Sequence, residues 1–384
     1  MLNHYDCYAI IIGAGQKDLT PNSSHNLVKR PDRYSFKTRN IAALAIVLIP
    51  ALFLTGCGSR NQKPDPSVIQ IQTPKPVIFD TDMAHEDMFA ALFLLSHPNV
   101  DVKAITVSGT GEAHCAPGVA HALGLVKLSG HADIPVTCGR EAPWMGSHVF
   151  PAEWRQAADD TYGIEIPAGG AASTLNAADL IVDIVQGSNE KITLVAVGPL
   201  TNIAEALQKT PEIGANIKEI YIMGGALEVE GNVGISGVGI QNKYAEWNIY
   251  IDPVAANIVL NAGVPIILVP LDATQAVPVT RNFYETLGKN LNTPTANLVY
   301  EMLTANLGFV DSGGFQFWDS LTAAIFTDES IASFQDFSVV VVEDEGSESG
   351  RTKPDSNGVN IKAAVSANQD KFEKLFLTIL NWEK

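Results

Sequence analysis

The feature that most constrains the fold is a short apolar strand that runs directly into four carboxylates and then into an apolar helix. Val77–Phe79 form the end of the strand, and Met88–Leu95 resemble the start of an Ala- and Leu-rich helix. The acidic residues between them are Asp80, Asp82, Glu86 and Asp87. Carboxylates this close repel each other unless a proton or a cation relieves the repulsion. A solvated acidic turn is the alternative, but open α/β sheets place ligands at the carboxyl ends of buried strands, which favours a hard cation such as Ca²⁺.

Downstream of this motif, short apolar strands alternate with longer amphipathic segments, a pattern typical of βαβ units. The predicted strands are Pro76–Asp80, Val102–Val107, Ile192–Val197, Glu219–Met223, Pro265–Leu271 and Ser338–Glu343. The predicted helices are Asp87–Ser96, Gly118–Leu128, Thr174–Val185, Leu200–Lys209, Asp252–Ala262, Thr293–Thr304 and Lys371–Asn381. We expect Thr201 or Asn202 to cap its helix. The pattern predicts an α/β domain over residues 76–384: a single large, open, mostly parallel twisted sheet with helices on both faces and a Rossmann-like core.

Composition supports a large core and excludes one class of partner. The chain of 384 residues is 46% hydrophobic, which is enough for one large domain. Its formal net charge is −17. An acidic surface repels phosphate backbones, and no basic run with interleaved aromatic residues occurs, so we expect no nucleic-acid partner.

Residues 1–56 resemble a leader with a lipoprotein-type signal peptide. The apolar run Ile41–Leu54 is short for a membrane span. It ends in Leu54-Thr55-Gly56-Cys57, which resembles the bacterial lipoprotein cleavage box. We therefore expect cleavage before Cys57 and lipidation of that residue, with an uncleaved signal anchor as the alternative.

Residues 57–75 are polar and contain prolines, as expected of a flexible tether between a membrane and a domain. The prediction is an exported, membrane-anchored lipoprotein at the cell envelope, on the periplasmic side or the cell surface. In such a compartment Cys115 and Cys138 could form a disulfide. Two buried free thiols are equally compatible with the sequence.

Two further polar landmarks lie far along the chain. Trp318-Asp319 follows a glycine pair. Taken alone, Trp318 fits a core aromatic residue as well as a site residue, and Asp319 fits a helix N-cap as well as a site residue. Asn232 precedes a segment that contains Glu246 and Asn248. Because Glu246 and Asn248 are two residues apart, an extended segment would turn both side chains toward one ligand. We also predict that Pro143–Gly163, which is rich in aromatic residues, is a surface loop.

Taken together, these segments resemble the inosine–uridine preferring nucleoside hydrolase family, in one order from about Pro76 to the C-terminus. The matching motifs are Asp80-Thr81-Asp82 with Asp87, Ile105–Gly109, Val197–Asn202, Met223–Gly225, Ala245–Asn248, Leu271–Thr274, Trp318-Asp319 and Ser349–Thr352. The resemblance implies a nucleoside hydrolase-like fold and an N-ribosyl hydrolase, which cleaves the N-glycosidic bond of ribonucleosides to free base and ribose. It also implies a homo-oligomer, either a dimer or a tetramer.

The resemblance further implies a Ca²⁺ ion that binds the 2′- and 3′-hydroxyl groups of the ribose and a water molecule. Its protein ligands would be Asp82, Asp87, Asp319 and the backbone carbonyl of Val197. Breaking a glycosidic bond passes through an oxocarbenium-like state, so negative charge near the sugar and an activated water are needed. Asp82 is the predicted general base.

By the same resemblance, Asn232, Glu246 and Asn248 hold the 5′ side of the ribose. Some relatives place a His before the late Asp, where this chain has Trp318. Stacking of Trp318 on the leaving base would favour purine nucleosides.

The chain departs from the family pattern in the first motif and after β-strand residue Val107. Glu86 stands where the family has the first of two paired aspartates, a position that holds a ribose hydroxyl. Thr110 stands where the family usually has Asn. Glu86 is longer by one methylene, and such a misplacement costs on the order of 10²-fold in rate. We expect His85 to be a partly exposed turn residue without a catalytic role.

Two other functions compete with hydrolysis. The departures at Glu86 and Thr110 fit a catalytically weakened lipoprotein of the same fold that binds ribosides or metal. Asp80-x-Asp82 also fits a phosphatase with an aspartate nucleophile, but that class has Thr or Val where Ala84 stands, and it needs a later acidic motif that this chain lacks.

Overall fold

A computed structural model describes residues 69–383, and within them nine strands form one sheet in the order β3-β2-β1-β4-β5-β6-β9-β7-β8. The strands are β1 (Lys75–Thr81), β2 (Val100–Val107), β3 (Val136–Cys138), β4 (Ile192–Ala196), β5 (Ile217–Met223), β6 (Ile266–Val269), β7 (Ala332–Val341), β8 (Thr352–Pro354) and β9 (Val359–Ala367). The first six strands and β9 pair in parallel, while β7 is antiparallel to β8 and β9. The predicted α/β fold with a mostly parallel sheet is confirmed.

The direction in which strands are added reverses at β1, because β2 lies on one side of it and β4 on the other. Open α/β sheets form a crevice at the carboxyl ends of two such strands. In the register of the sheet, Asp80 lies opposite Thr106 of β2 and Ala196 of β4. The chain that leaves β1 after Asp80 therefore enters this crevice.

Helices cover both faces of the sheet. The helices are α1 (His85–Ser96), α2 (Cys115–Leu128), α3 (Ala152–Asp159), α4 (Ala177–Gly187), α5 (Thr201–Lys209), α6 (Trp247–Ile251), α7 (Pro253–Leu260), α8 (Leu271–Thr274), α9 (Arg281–Leu287), α10 (Pro294–Ala305), α11 (Leu307–Asp311), α12 (Trp318–Thr327) and α13 (Gln369–Leu380). Side chains of β1 alternate between the two faces, as strand geometry requires. Phe79 packs in the core with α1, α12 and α13, and Ile78 in the core with α4, α5 and α7.

Several elements differ from the sequence prediction. The predicted surface loop Pro143–Gly163 contains α3, and the segment around Glu246 begins α6 instead of being extended. Neither predicted cap of α5 forms: the Thr201 hydroxyl donates to Asp252, and the Asn202 amide donates to Asp80. Both side chains therefore serve tertiary contacts, which local sequence patterns do not encode.

Strands β3, β8 and β9 were not predicted from the sequence. β3 and β8 each contain three residues, which is too short for a periodic signal. In β9, exposed polar side chains such as Asn360 and Ser366 interrupt the apolar pattern.

The predicted signal peptide and the predicted lipidation site Cys57 lie outside the described residues. Of the predicted tether, residues 70–74 are exposed and have no regular secondary structure. No helix within residues 69–383 is long and apolar enough to cross a membrane.

Candidate active site

Three aspartates from two distant parts of the chain meet beyond the carboxyl end of β1. Asp82 follows β1, Asp87 lies in the first turn of α1, and Asp319 lies in the first turn of α12. The exposed fractions of Asp82, Asp87 and Asp319 are 3%, 1% and 2%. Burial raises the pKa of each carboxyl group, and repulsion from the neighbouring carboxyl groups raises it further. The structure therefore brings together the three aspartates that the sequence analysis assigned to one site.

Asp87 is held by the turn that precedes α1. Its Oδ1 atom accepts hydrogen bonds from the Thr81 hydroxyl and, at 2.9 Å, from the backbone N–H of Asp82. Met83 completes the turn with a φ of 60°, a left-handed conformation that is strained for a residue other than glycine. Burial and then the Glu86 charge raise the pKa of Asp87 to about 6, although the bond from the Thr81 hydroxyl opposes the shift.

Asp82 lies between two glycines in the loops that follow the neighbouring strands β2 and β4. A Cβ atom on Gly111 would be 2.0 Å from the Asp82 Cβ, and one on Gly198 would be 2.9 Å from the Asp82 backbone nitrogen. Only glycine lets both loops approach this closely. The backbone N–H of Glu112 donates to Asp82 Oδ2 at 3.0 Å. Asp82 is therefore fixed from both sides.

The oxygen atoms of this cluster suit a hard cation. Asp319 Oδ2 is buried without a hydrogen-bond partner, and unpaired buried oxygen atoms are costly. Three buried carboxyl groups that repel each other are a donor set of the kind Ca²⁺ takes. Within residues 69–383, however, no three His, Cys, Asp or Glu side chains are already arranged as a complete set of metal ligands. One oxygen of Asp82 and one of Asp87 are instead bound to backbone N–H groups.

The predicted fourth metal ligand, Val197, follows β4 at the same edge of the sheet. Its carbonyl oxygen accepts a hydrogen bond of 2.9 Å from the Asn248 side chain. A carbonyl oxygen has a second lone pair, so this bond leaves one position available. Asn248 also donates to the Met223 carbonyl at 3.2 Å, which links the ends of β4 and β5.

Glu246 caps α6. Its carboxylate accepts hydrogen bonds of 3.0 Å from the backbone N–H groups of Gly225 and Asn248, and one of 3.3 Å from Ile249. Asn232 Oδ1 accepts from the Trp247 backbone at 3.1 Å. Burial raises the pKa of Glu246 to about 7, although these bonds oppose the shift. Glu246, Asn248 and Asn232 therefore converge at the start of α6, and the buried carboxylate of Glu246 is well paired.

Thr110 and Trp318 occupy different surroundings. Thr110 is 2% exposed, and its hydroxyl lies 2.9 Å from that of Ser108 and 3.0 Å from that of Thr201. Trp318 is partly buried at the start of α12, with its ring 6.1 Å from that of Phe315. Thr110 is thus enclosed by hydroxyl groups, whereas Trp318 keeps an accessible surface beside Asp319.

Sequence reasoning missed Glu112, which the structure places beside Tyr162 in this site. Glu112 is 8% exposed, and its Oε2 atom accepts a hydrogen bond of 3.1 Å from the Tyr162 hydroxyl. Burial raises the pKa of Glu112 to about 8, and Asp82 raises it too. The pKa of Glu86 also rises to about 8, first through burial and then through Glu112. An acidic residue directly after the glycines of the loop that follows a predicted strand was the signal that could have revealed Glu112.

His85 is buried, which corrects the prediction of a partly exposed residue. It is 3% exposed because the Tyr162 ring covers it, with the ring centres 3.4 Å apart. Its Nδ1 atom lies 2.7 Å from the side-chain nitrogen of Asn306. Burial lowers the pKa of His85 to about 3, so the imidazole is neutral at physiological pH.

Cys115 and Cys138 form a disulfide, with their Cα atoms 5.5 Å apart. The sequence left this pairing open. The bond joins the start of α2 to the end of β3, next to the loop that carries Gly111 and Glu112. It therefore ties down one wall of the site.

Comparisons with known proteins point to one family. The family model described as inosine-uridine preferring nucleoside hydrolase matches residues 77–374. The pyrimidine-specific ribonucleoside hydrolase RihA of Citrobacter koseri is 34% identical to this chain over 235 residues, which cover 59% of this chain and 70% of RihA.

Two solved structures have similar folds. The purine-preferring ribonucleoside hydrolase from Gardnerella vaginalis superposes with a TM-score of 0.70 at 29% identity, covering 80% of this chain and 98% of the other. A plant nucleoside hydrolase, PpNRh1, gives a TM-score of 0.72 at 27% identity, covering 80% and 99%.

Proposed function

This chain belongs to the inosine-uridine preferring nucleoside hydrolase family, and we propose that it is a calcium-dependent ribonucleoside hydrolase anchored at the cell envelope. Family membership makes it an N-ribosyl hydrolase, an enzyme that releases a free base and ribose from a ribonucleoside. The identity of the cation, the roles of the site residues, the preferred base and the location are the parts that we propose.

The observation that carries the proposal is the convergence of Asp82, Asp87 and Asp319 at the reversal point of the sheet. Their mutual repulsion and the unpaired oxygen of Asp319 support a divalent cation with oxygen ligands. Asp82, Asp87, Asp319 and the Val197 carbonyl would hold it. When bound, such a cation lowers the pKa of a water molecule and positions vicinal hydroxyl groups.

Asp82 is the proposed general base. Gly111 and Gly198 fix its position, and the Glu112 N–H holds one of its oxygen atoms, so the other can take a proton from the attacking water. The remaining carboxylates place negative charge near the sugar, which stabilises an oxocarbenium-like state. The chain thus supplies the base and the electrostatic environment from separate residues.

Asn232, Glu246 and Asn248 are the proposed contacts to the ribose. They lie together at the start of α6, and rigid positioning of a sugar beside a base accounts for much of the rate gained in such sites. Glu86 is the proposed contact on the other side of the sugar, and the family resemblance implies a second contact from the loop after β2, at the position of Thr110.

We infer a preference for purine nucleosides. The support is the partly exposed indole of Trp318 next to Asp319, since stacking against a large base favours its departure. The names of the relatives point to both classes of base: RihA of Citrobacter koseri is pyrimidine-specific, and the Gardnerella vaginalis enzyme is purine-preferring. Trp318 is therefore the residue on which this part of the proposal rests.

Export and lipidation at Cys57 complete the proposal. The disulfide between Cys115 and Cys138 supports it, because disulfides persist mainly in oxidising compartments. Metabolic labelling with a palmitate analogue would detect the lipid on the wild-type chain and not on Cys57→Ser. The family resemblance also implies a dimer or tetramer, which the native mass of the mature protein would reveal.

The deciding experiment is a nucleoside panel assayed with CaCl₂ and with a chelator. Purified protein is incubated with inosine, adenosine, guanosine, uridine and cytidine, and free ribose is measured. We expect release with Ca²⁺, loss of release with chelator, and faster release from purines. Binding of nucleosides and Ca²⁺ without any release of ribose would instead support the catalytically weakened binding protein that Glu86 and Thr110 suggest.

A further inference from the structure

We infer that Glu112, and not Thr110, is the residue of the loop after β2 that accepts a hydrogen bond from a sugar hydroxyl group of the substrate. The inference rests on the proposed function and adds a residue to it. It makes Glu112 a substrate-binding residue that Tyr162 positions.

The hydroxyl group of Thr110 already takes part in hydrogen bonds within the protein. Its buried hydroxyl group lies between those of Ser108 and Thr201. Thr201 in turn donates to Asp252 at 2.8 Å, and Ser108 to the Pro199 carbonyl at 2.9 Å. This chain of hydroxyl groups leads from the loop to the starts of α5 and α7. Because Ser108 and Thr201 donate their own protons elsewhere, the single proton of Thr110 is used within the chain, and its buried hydroxyl group joins elements of the fold.

Glu112 lies on the side of the loop that meets the carboxylate cluster. Its own N–H donates to Asp82, the proposed base. Its carboxyl group interacts electrostatically with Asp82 and with Glu86, which the family resemblance places at a ribose hydroxyl. A carboxylate at this point can accept a hydrogen bond from the same sugar that Asp82 and Glu86 approach.

Arg155 holds the loop that carries Glu112 through hydrogen bonds to the loop's backbone. The Arg155 guanidinium group is buried and donates to the carbonyl oxygens of Gly109 at 3.0 Å and Glu112 at 3.4 Å. These two contacts hold the backbone of the loop in place, so the position of the Glu112 side chain is well defined.

The Tyr162 hydroxyl donates a hydrogen bond to the Glu112 carboxyl group, and the backbone at Tyr162 is strained. Thr161 and Tyr162 have φ values of 51° and 52°. Within residues 69–383, the non-glycine residues with positive φ are these two and Met83. Met83 directly follows Asp82, and Tyr162 contacts Glu112. Strain of this kind concentrates at functional sites, where surrounding contacts maintain it. Here it places the Tyr162 hydroxyl on Glu112 and its ring on His85.

The test uses the isosteric variant Glu112→Gln of the full mature protein at saturating CaCl₂. We measure kcat/KM for inosine, 2′-deoxyinosine and 3′-deoxyinosine. Loss of a hydrogen bond from a hydroxyl to a carboxylate predicts a fall of about 10- to 100-fold with inosine. With the deoxy analogue that lacks the contacted hydroxyl, the variant and the wild type should differ by less than about threefold, because the bond is absent in both.

Two variants accompany it. Tyr162→Phe removes only the hydroxyl group, and it should show a smaller loss with the same dependence on the sugar hydroxyl. Glu141→Gln is the matched control, since Glu141 is an exposed acid near the same loop, and its bond to the Cys115 N–H lies at the surface. Its kcat/KM should stay within about twofold of the wild type. Thermal unfolding verifies that all variants fold.

An equal loss with all three substrates, or no loss, in Glu112→Gln would overturn the inference, as would a hydroxyl-dependent loss in Thr110→Val alone. If the wild type hydrolyses no nucleoside, the proposed function fails separately, and calorimetric binding of D-ribose against 2-deoxy-D-ribose then decides. Weaker binding of D-ribose by Glu112→Gln would support the contact, and unchanged affinity would refute it.

Discussion

The two ends of the parallel sheet differ in chemistry. The carboxyl end carries the buried cluster of Asp82, Asp87 and Asp319 with Glu86 and Glu112 around it. At the amino end lies a groove of about 540 Å³ with no ionisable side chain in its lining. The groove is lined by Leu207, Gln208, Pro211, Asn257, Ile258, Asn261, Ala262, Val339, Val340, Asn357, Gly358 and Val359.

The difference shows that unpaired charge, more than the size of a cavity, distinguishes a reactive site. In the groove, polar side chains satisfy one another: Asn261 donates to Asn257 at 2.8 Å, and Asn257 donates to Glu343. At the carboxyl end, Asp319 keeps a buried oxygen atom without a partner, and neighbouring carboxyl groups raise one another's pKa. Groups whose pKa is shifted by burial and by like charges mark functional sites.

Asp82→Asn should cause the largest loss of activity. This change removes the proposed base, so kcat should fall by about 10³-fold at saturating CaCl₂. In EDTA the thermal midpoint should stay the same or rise, because the repulsion among the buried carboxyl groups is reduced. Ribose release and thermal unfolding measure both effects. Asp101→Asn, at an exposed ion pair with Lys103, is the control and should keep full activity. A rate for Asp82→Asn equal to that of the wild type would remove Asp82 from its role.

The stability of the metal-free protein should decrease as the pH rises from 5 to 8. Burial raises the pKa of Asp80 from 3.8 to about 7, so the folded protein holds this proton more tightly than the unfolded chain. The stabilisation is complete below about pH 3.8 and is lost as the pH rises through about 7, by at most about 4 kcal/mol for Asp80 alone.

Glu86 and Glu112, whose pKa values rise to about 8, act in the same direction. Urea unfolding with EDTA at several pH values measures the slope. Asp80→Asn should flatten it, and CaCl₂ should restore stability at pH 8. A metal-free protein that is more stable at pH 8 than at pH 5 would contradict the raised pKa values.

Removing the disulfide should destabilise the protein and loosen the loops at the carboxyl end of the sheet. Cys115 and Cys138 are 23 residues apart in the chain, and closing a loop of this size contributes about 3 kcal/mol to the free energy of unfolding. Cys115→Ser combined with Cys138→Ser should show this loss in urea unfolding, together with a raised KM, because the loop of Glu112 adjoins the bond. Dithiothreitol should reproduce the loss in the wild type and leave the double variant unchanged.

The smallest effect is expected at the amino end. Asn261→Ala removes a hydrogen bond at the surface of the groove, so kcat/KM should stay within about twofold and the free energy of unfolding within about 1 kcal/mol. The same ribose and urea assays apply. A large loss of activity would mean that the two ends of the sheet are coupled and that the groove takes part in the reaction.

Much of the fold could be predicted because its signals are local. The apolar strand ending at Asp80 and the helix after Asp87 appear where predicted, within a few residues. The surface loop predicted at Pro143–Gly163 was wrong in part, since α3 forms there through packing of Trp154 against Trp247, which is distant in the chain. The extended segment predicted at Glu246 was also wrong, because its side chain caps α6.

By itself, the sequence determined the alternation of strands and helices and the placement of acidic residues directly after a buried strand, because both depend on neighbours in the chain. It also led to the family. Only the tertiary structure decided that Cys115 pairs with Cys138, that His85 is buried under Tyr162, and that Glu112 joins the carboxylate cluster. These features depend on which loops meet at the reversal point of the sheet, and burial and charge there arise from residues far apart in the chain.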